Sequence, residues 1–318
     1  MDNIESKVLS TRYRGRFAQI PIYLGKFFRM FVYQSDWKVI PMAAFLAALI
    51  SMVVKKNFFV NMEGTTRGAF AITCVALWNG LFNSVQVVCR ERNVIKREHR
   101  SGMHISSYIV SHTIYQACLC MIQSLVMVTI FLYTGVKFPT SGTVTGFFLA
   151  DFLITLFLIT FAADMLALFV SCVVKNTTAA MTVMPMILMV QLIFSGGFFT
   201  VPDNVQFVKG FMISNYGMSA ICSEAGYNEL PSTTAWNLLK KISKQEDADP
   251  SLKMMVEQMK ANGDDEKMGY ELAKSNYNEM YENTVFNIEL NWIIISLLAT
   301  VSIVASIVVL EFIDKDRR

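Results

Sequence analysis

The stretch Arg90-Glu91-Arg92-Asn93-Val94-Ile95-Lys96-Arg97-Glu98-His99-Arg100-Ser101-Gly102 lies between two uncharged runs, each long enough to cross a lipid bilayer. Seven charged side chains fall within the eleven residues from Arg90 to Arg100. Such a density cannot be buried in hydrocarbon. It forms a contact surface at the membrane face, suited to pushing or being pushed by a soluble partner.

Composition outside that stretch agrees. With 53% hydrophobic and 17% charged residues and a mean hydropathy of +0.41, the 318-residue chain lies well away from a soluble domain. A hydrocarbon core about 30 Å thick takes roughly 20 apolar residues in a helix, and backbone without water must satisfy its own hydrogen bonds. The expected fold is therefore an all-α polytopic membrane protein with six transmembrane helices. The spans read as Val39–Val54, 68–89, 105–136 with His112 as its one ionisable group, and about 144–174 with Asp151 and Asp164. The turn Lys175-Asn176-Thr177 opens a fifth that ends near Phe199, and 291–310 is the sixth.

Positive loops stay in the cytoplasm. Lys7, Arg12, Arg14, Arg16, Lys26 and Arg29, the loop after span two, and Lys315, Arg317 and Arg318 all fall on one side of six spans. Ten of the eleven arginines lie there, Arg67 excepted, so both termini are expected in the cytoplasm and the chain in the cell membrane. The net charge of +3 then reflects topology, and no nucleic-acid partner is expected.

The chain divides at residues 37, 200 and 290. Within 1–37, Phe17, Ile20, Tyr23, Leu24, Phe27, Phe28 and Phe31 follow helical spacing with Arg16, Lys26 and Arg29 interleaved, the pattern of an amphipathic helix lying in the interface. Pro21 requires that helix to begin near it or to kink there. The helix either anchors span one or also touches a partner. Region 38–200 holds spans one to five and a charged helix at 91–103. Region 201–290 is an outer domain with thirteen acids from Asp203 up to but excluding Glu289, eight lysines and no arginine. Apolar spacing around Trp236, Leu238, Leu239 and Ile242, then Leu252, Met255 and Met259, then Tyr270, Leu272 and Tyr277, reads as short helices. Its segment from Phe207 to Cys222 either dips back into the outer leaflet or packs as a surface helix on spans three and five. Region 291–318 is span six and a tail.

Five of six cysteines sit in spans, so no disulfide forms within the outer domain, and Cys118 and Cys120 read as packing rather than metal ligands. The first 37 residues lack the compact apolar stretch and cleavage site of a secretory signal, so span one is expected to direct insertion. No Gly-x-x-x-x-Gly-Lys-Ser/Thr stretch is present to cradle phosphates.

Three local stretches carry a resemblance: Glu91-Arg92 followed by Arg97-Glu98-His99-Arg100-Ser101-Gly102-Met103; Ser106-Ser107-Tyr108 opening span three; and Ile193-Phe194-Ser195-Gly196-Gly197-Phe198-Phe199 closing span five. With the order of segments, the chain resembles the membrane domain of G-subfamily (type V) ABC exporters. The absence of the outer cysteine bridge of animal relatives points to a bacterial-type member. The resemblance implies that Glu91, Arg92, Lys96, Arg97, Glu98, Arg100 and Gly102 form a coupling helix against a nucleotide-binding domain. ATP and Mg would bind on that partner, fused or separate, and no cofactor on this chain, which is not an enzyme by itself.

It implies also a dimer whose axial cavity is lined by spans two and five. Span two offers Asn79, Phe82, Asn83 and Gln86, spaced i, i+3, i+4 and i+7 and so on one face, although their amides could equally hold helices together. Span five offers Pro185, Met186, Met189 and Leu192, with Gly196, Gly197, Phe198 and Phe199 as an outer gate. A face without charge suits an apolar or amphipathic cargo moved outward. Asp164, an intramembrane carboxylate, is either a hydrogen-bonded structural group or a proton or substrate group. Two other classes stay open: a proton-coupled secondary transporter using Asp164 and His112, and a membrane receptor or scaffold with an acidic outer domain.

Overall fold

The computed structural model describes residues 15–33, 36–197, 206–232, 240–243, 249–261, 265–274 and 276–312. Helix α1 (Arg16–Tyr33) is followed by α2 (Val39–Val54), α3 (Met62–Ser84), α4 (Val87–Arg100), α5 (Ile105–Thr134), α6 (Phe148–Val173) and α7 (Thr177–Ile193). Then come α8 (Gln206–Lys209), α9 (Ile213–Glu224), α10 (Pro250–Ala261), α11 (Asp265–Lys274) and α12 (Val285–Glu311). Among the described residues there is no strand.

Among the described residues five segments are long and apolar enough to cross a membrane: α2 with its leading turn (Asp36–Val54), α3 running on into α4 (Met62–Arg100), α5, α6 and α12. The helix expected as a fifth span, α7, is apolar but shorter, at 17 residues, because a turn begins at Phe194. Other boundaries shift for local reasons. Asn61 accepts a bond from Gly64 N at 2.6 Å and so starts α3 six residues before the expected edge. Gly135, with φ +80°, stops α5 just short of its expected end. Asp151 is fully buried and accepts the backbone N–H groups of Val144 and Thr145 at 3.0 Å each, tying the preceding loop to the first turn of α6.

Burial grades from the middle of the bundle outward. In their most apolar windows 56% of α6 lies inside the protein but only 22% of α2 and of α12. Helix α2 turns Ala43, Ala47, Ser51 and Val54 inward while Phe45, Met52 and Val53 face out, so its small side chains permit close approach to α3 and α5. The tightest approach is between α3 and α6, where a Cβ on Gly80 would lie 2.1 Å from the carbonyl oxygen of Thr160.

Helix α1 begins at Arg16, so Pro21 stands within it. It packs on α5: Phe27 meets Tyr108, His112 and Tyr115 ring to ring, while Ser107 and Ser111 donate to the carbonyls of Arg16 and Ile20 at 2.8 and 3.0 Å. Phe17, Val32 and Tyr33 stay exposed, as an interfacial helix requires. Helix α9 is not a surface helix on spans three and five. Every residue but Tyr216 is buried, and its principal neighbours are α3, α6 and α12.

Candidate functional site

Helix α4 starts at Val87, four residues before the expected edge, and is separated from α3 by a turn at Val85 and Gln86. It ends where Gly102, with φ +99°, lets Met103 N reach the carbonyl of Glu98 at 3.0 Å. One face is clamped to α1. Lys26 Nζ lies 3.2 Å from Glu98 Oε1 and 3.9 Å from Glu91 Oε2, and Gln19 Nε2 donates to Gly102 O at 3.0 Å. Gln19 Oε1 accepts from His104 N at 2.9 Å, so one buried amide holds both ends of the turn into α5. The two acids thus face a lysine of the same chain, whereas Arg90, Asn93, Arg97 and Arg100 point outward and leave a basic exposed face; Lys96 is half-buried.

The opposite side of α4 is locked to α6. Ser171 Oγ accepts the N–H groups of Val88 and Cys89 at 3.1 and 3.2 Å, satisfying the free donors of the α4 N-terminus. In return, Cys89 Sγ donates to the carbonyls of Ser171 and Val174 at 3.2 and 3.1 Å, and Arg92 Nη1 to those of Cys172 and Val174 at 3.1 and 3.2 Å. Each helix end supplies what the other lacks, and a guanidinium at a helix C-terminus also meets the negative end of its dipole. Sequence reading gave Arg92 to the partner surface; in the structure it serves α6.

The polar residues of α3 are divided. Asn83 and Gln123 exchange amide bonds, Nδ2 to Oε1 at 2.9 Å and Nε2 to Oδ1 at 3.1 Å, while Asn79 Nδ2 reaches Met127 Sδ at 3.4 Å. These amides hold α3 to α5. Asn79, Phe82 and Asn83 nonetheless also line a cavity of 290 Å³ with Lys38, Trp78 and Gln123. Gln86, just past the end of the helix, lines a neighbouring cavity of 210 Å³ together with Phe82 and Asn83 and with Asp36, Arg90 and Tyr115. The α7 residue in that cavity is Met181; Met186 and Met189 sit on the exposed side of α7 and Leu192 is half-buried, so the structure does not join them to the α3 residues. A test follows. Phe82→Ala, on the cavity side of α3, should leave the melting temperature within about 1 °C. Asn83→Leu orphans Gln123 and should cost about 1–3 kcal/mol of stability, read by thermal denaturation.

Gly196, with φ +78°, and Gly197, where a Cβ would come 2.6 Å from Met218 Sδ of α9, stand at the end of α7, whereas Phe198 and Phe199 lie outside the described residues. Gln191 ties α7 to α9, its Oε1 accepting Ser214 N at 3.1 Å and its carbonyl the Ser214 hydroxyl. Asp164 is fully buried, its Oδ2 accepting from Cys120 Sγ at 3.4 Å, while His112 packs against the rings of Phe27 and Tyr115. The two groups named for a proton path thus have different partners. Among the described residues no group of three or more His, Cys, Asp or Glu could hold a metal ion.

Sequence reasoning missed Glu224, one of thirteen acids in its region. Its Oε1 accepts from the Thr155 hydroxyl, which in turn accepts Trp292 Nε1 at 2.6 Å, joining α9, α6 and α12; Oε2 is buried without a partner. Burial pushes its carboxyl from 4.5 up to about 8, the Thr155 bond opposing this and Asp151 adding to it. A proton held more tightly in the folded chain stabilises fully below pH 4.5, and that contribution is lost as pH rises through about 8. The melting temperature should therefore fall across that interval, and Glu224→Gln should flatten the fall. An equal slope in the variant assigns it to other groups.

Apolar helices crossing a bilayer, with a charged helix held beneath them between an interfacial helix and the end of α6, define a multi-pass membrane protein built as a permease. The chain belongs to the ABC-2 type transporter family, whose family model matches residues 23–223. It is also similar to "ABC transporter G family member 4" of Arabidopsis thaliana, with 23% identity over 220 residues, 66% of this chain and 37% of that protein. The chain thus spans well under half the length of that relative. The G-subfamily likeness drawn from the sequence holds. Members of this family are permease components that work with nucleotide-binding partners, where ATP is hydrolysed.

Proposed function

We propose that this chain is the membrane-spanning half of an ATP-driven exporter, in which α4 receives the movement of a nucleotide-binding domain and delivers it to the bundle. The observation that carries the proposal is the double attachment of α4, to Lys26 on α1 and to Ser171, Cys172 and Val174 on α6. An element with polar fastenings on both sides transmits displacement, whereas a loop serving only to fix topology needs none. With Glu91 and Glu98 occupied by Lys26, the exposed Arg90, Arg97 and Arg100 suit an acidic partner surface. ATP and Mg would reside on that partner.

In this reading α7 is a sixth, short span, both termini are cytoplasmic, and residues 201–290 face outside. Two copies meet about an axis along the membrane normal, with α3 and the exposed Met186 and Met189 of α7 towards it. The cargo is neutral, apolar or amphipathic, taken on the Asn79 and Phe82 face and released past Gly196 and Gly197. The test is co-reconstitution with the nucleotide-binding partner in proteoliposomes. Arg92→Ala should reduce export per ATP hydrolysed while the protein still inserts and binds its partner; unchanged coupling would remove α4 from the transmission path.

A further inference from the structure

A cavity of 410 Å³ lies at the arginine-rich end of the bundle, apart from the polar face of α3. Arg16, His104 and Ser106 stand on one wall and Glu311 on another, with Ile307 and Val308 of α12 completing it. Arg16 and Glu311 are exposed, and among the described residues neither forms an ion pair. Two opposite charges therefore line one recess without neutralising each other. The apolar wall continues away from the charged end, because Ile293, Leu297, Val301, Val304 and Val308 form one exposed stripe along α12. That stripe faces lipid in a membrane-spanning helix.

We propose that this cavity binds the headgroup of an aminophospholipid of the phosphatidylethanolamine type, with its acyl chains lying along the α12 stripe. A guanidinium presents paired N–H donors that match a phosphate, and the His104 ring and Ser106 hydroxyl add polar partners on the same wall. A carboxylate would repel a purely anionic headgroup and accept from a primary ammonium. Choline cannot make that bond, having no N–H, and phosphatidylglycerol has no cation. A recess of this size also lies within the usual range for a small-molecule site, about 300–1,000 Å³. The proposal is independent of the export reading, since it concerns the surface that any such bundle presents to the bilayer.

The experiment is a titration of the full, delipidated chain in detergent with phosphatidylethanolamine, phosphatidylglycerol and phosphatidylcholine, counting bound lipids by native mass spectrometry. One phosphatidylethanolamine per chain should bind roughly tenfold more tightly than either other lipid, the effect of one charge-assisted hydrogen bond. Arg16→Gln should weaken all three by about tenfold. Glu311→Gln should instead abolish the preference over phosphatidylglycerol. Both side chains are exposed, so the variants should melt with the parent, and Glu271→Gln on α11 serves as a control that changes nothing. Equal binding of the three lipids, or no change in either variant, overturns the proposal. So does full displacement of the lipid by phosphoethanolamine at equal concentration, which would assign the recess to a soluble ligand.

Discussion

Glu98→Lys is expected to cut substrate-stimulated export by about tenfold or more, and Lys26→Glu in the same chain to restore most of it. The two groups lie 3.2 Å apart, each with 29% of its side chain exposed, so the reversal turns an attraction in a partly shielded site into a repulsion. Such a change is worth about 1–2 kcal/mol. The added lysine faces Lys26, so α4 loses its closest ionic hold on α1 while the Ser171 and Arg92 bonds to α6 stay in place. The comparison of single and double variants separates this pair from a general change of surface charge: a loop acting only by its positive charge would gain from the extra lysine. Export and ATP hydrolysis measured together in proteoliposomes distinguish the cases. A double variant as impaired as Glu98→Lys alone would mean that Glu98 acts on the partner and not on Lys26.

Gly80→Ala should damage the bundle more than any other single methyl group considered. A Cβ there would lie 2.1 Å from Thr160 O, 2.8 Å from Ala163 Cβ and 3.0 Å from Asp164 N, and the first and last of these are backbone atoms that no rotamer change can move aside. The two central helices must separate, which also disturbs the Cys120 to Asp164 bond and the Gly217 contact with Ile159 further along α6. The expected cost is at least about 3 kcal/mol, above the usual range for overpacking because backbone must shift. The melting temperature in detergent should drop by roughly 5 °C or more. Gly25→Ala provides the contrast, since nothing lies within 4 Å of its Cβ and alanine is the better helix former. Equal melting of the two variants would mean that α3 and α6 approach less closely than described.

The elements set by the lipid solvent were legible in the sequence, because a charge or its absence over twenty residues is a strong signal. The loop from Arg90 to Gly102, the amphipathic α1 and all five of the long apolar segments found among the described residues could be read this way. What could not be read depends on pairing between distant segments. Ser171 is one serine among many until α4 is placed 82 residues away from it in sequence and against it in space. Arg92 looked like its neighbours Arg97 and Arg100, and only the position of the α6 end separates them. Gln86 kept the helical spacing of Asn79 and Asn83 and shares a cavity with Phe82 and Asn83, although the helix stops at Ser84. Met181, not singled out by periodicity, is the α7 residue that reaches the cavity beside α3, since periodicity gives a face but not which neighbour the face meets. Glu224 was hidden among acids such as Glu229, Glu257, Glu271 and Glu279 that are exposed, and its burial follows from α9 entering the bundle.

That entry has a consequence for biogenesis. Helix α9 is enclosed partly by α12, which is synthesised after it, and the closing bonds run from Asn287 to Ser223 and from Asn291 to Ser219 at 3.0 and 3.2 Å. Until α12 arrives, those hydroxyls and the Glu224 carboxyl face an open groove between helices. Docking of α12 therefore closes a polar seam between α9 and α6 that no earlier helix can cover.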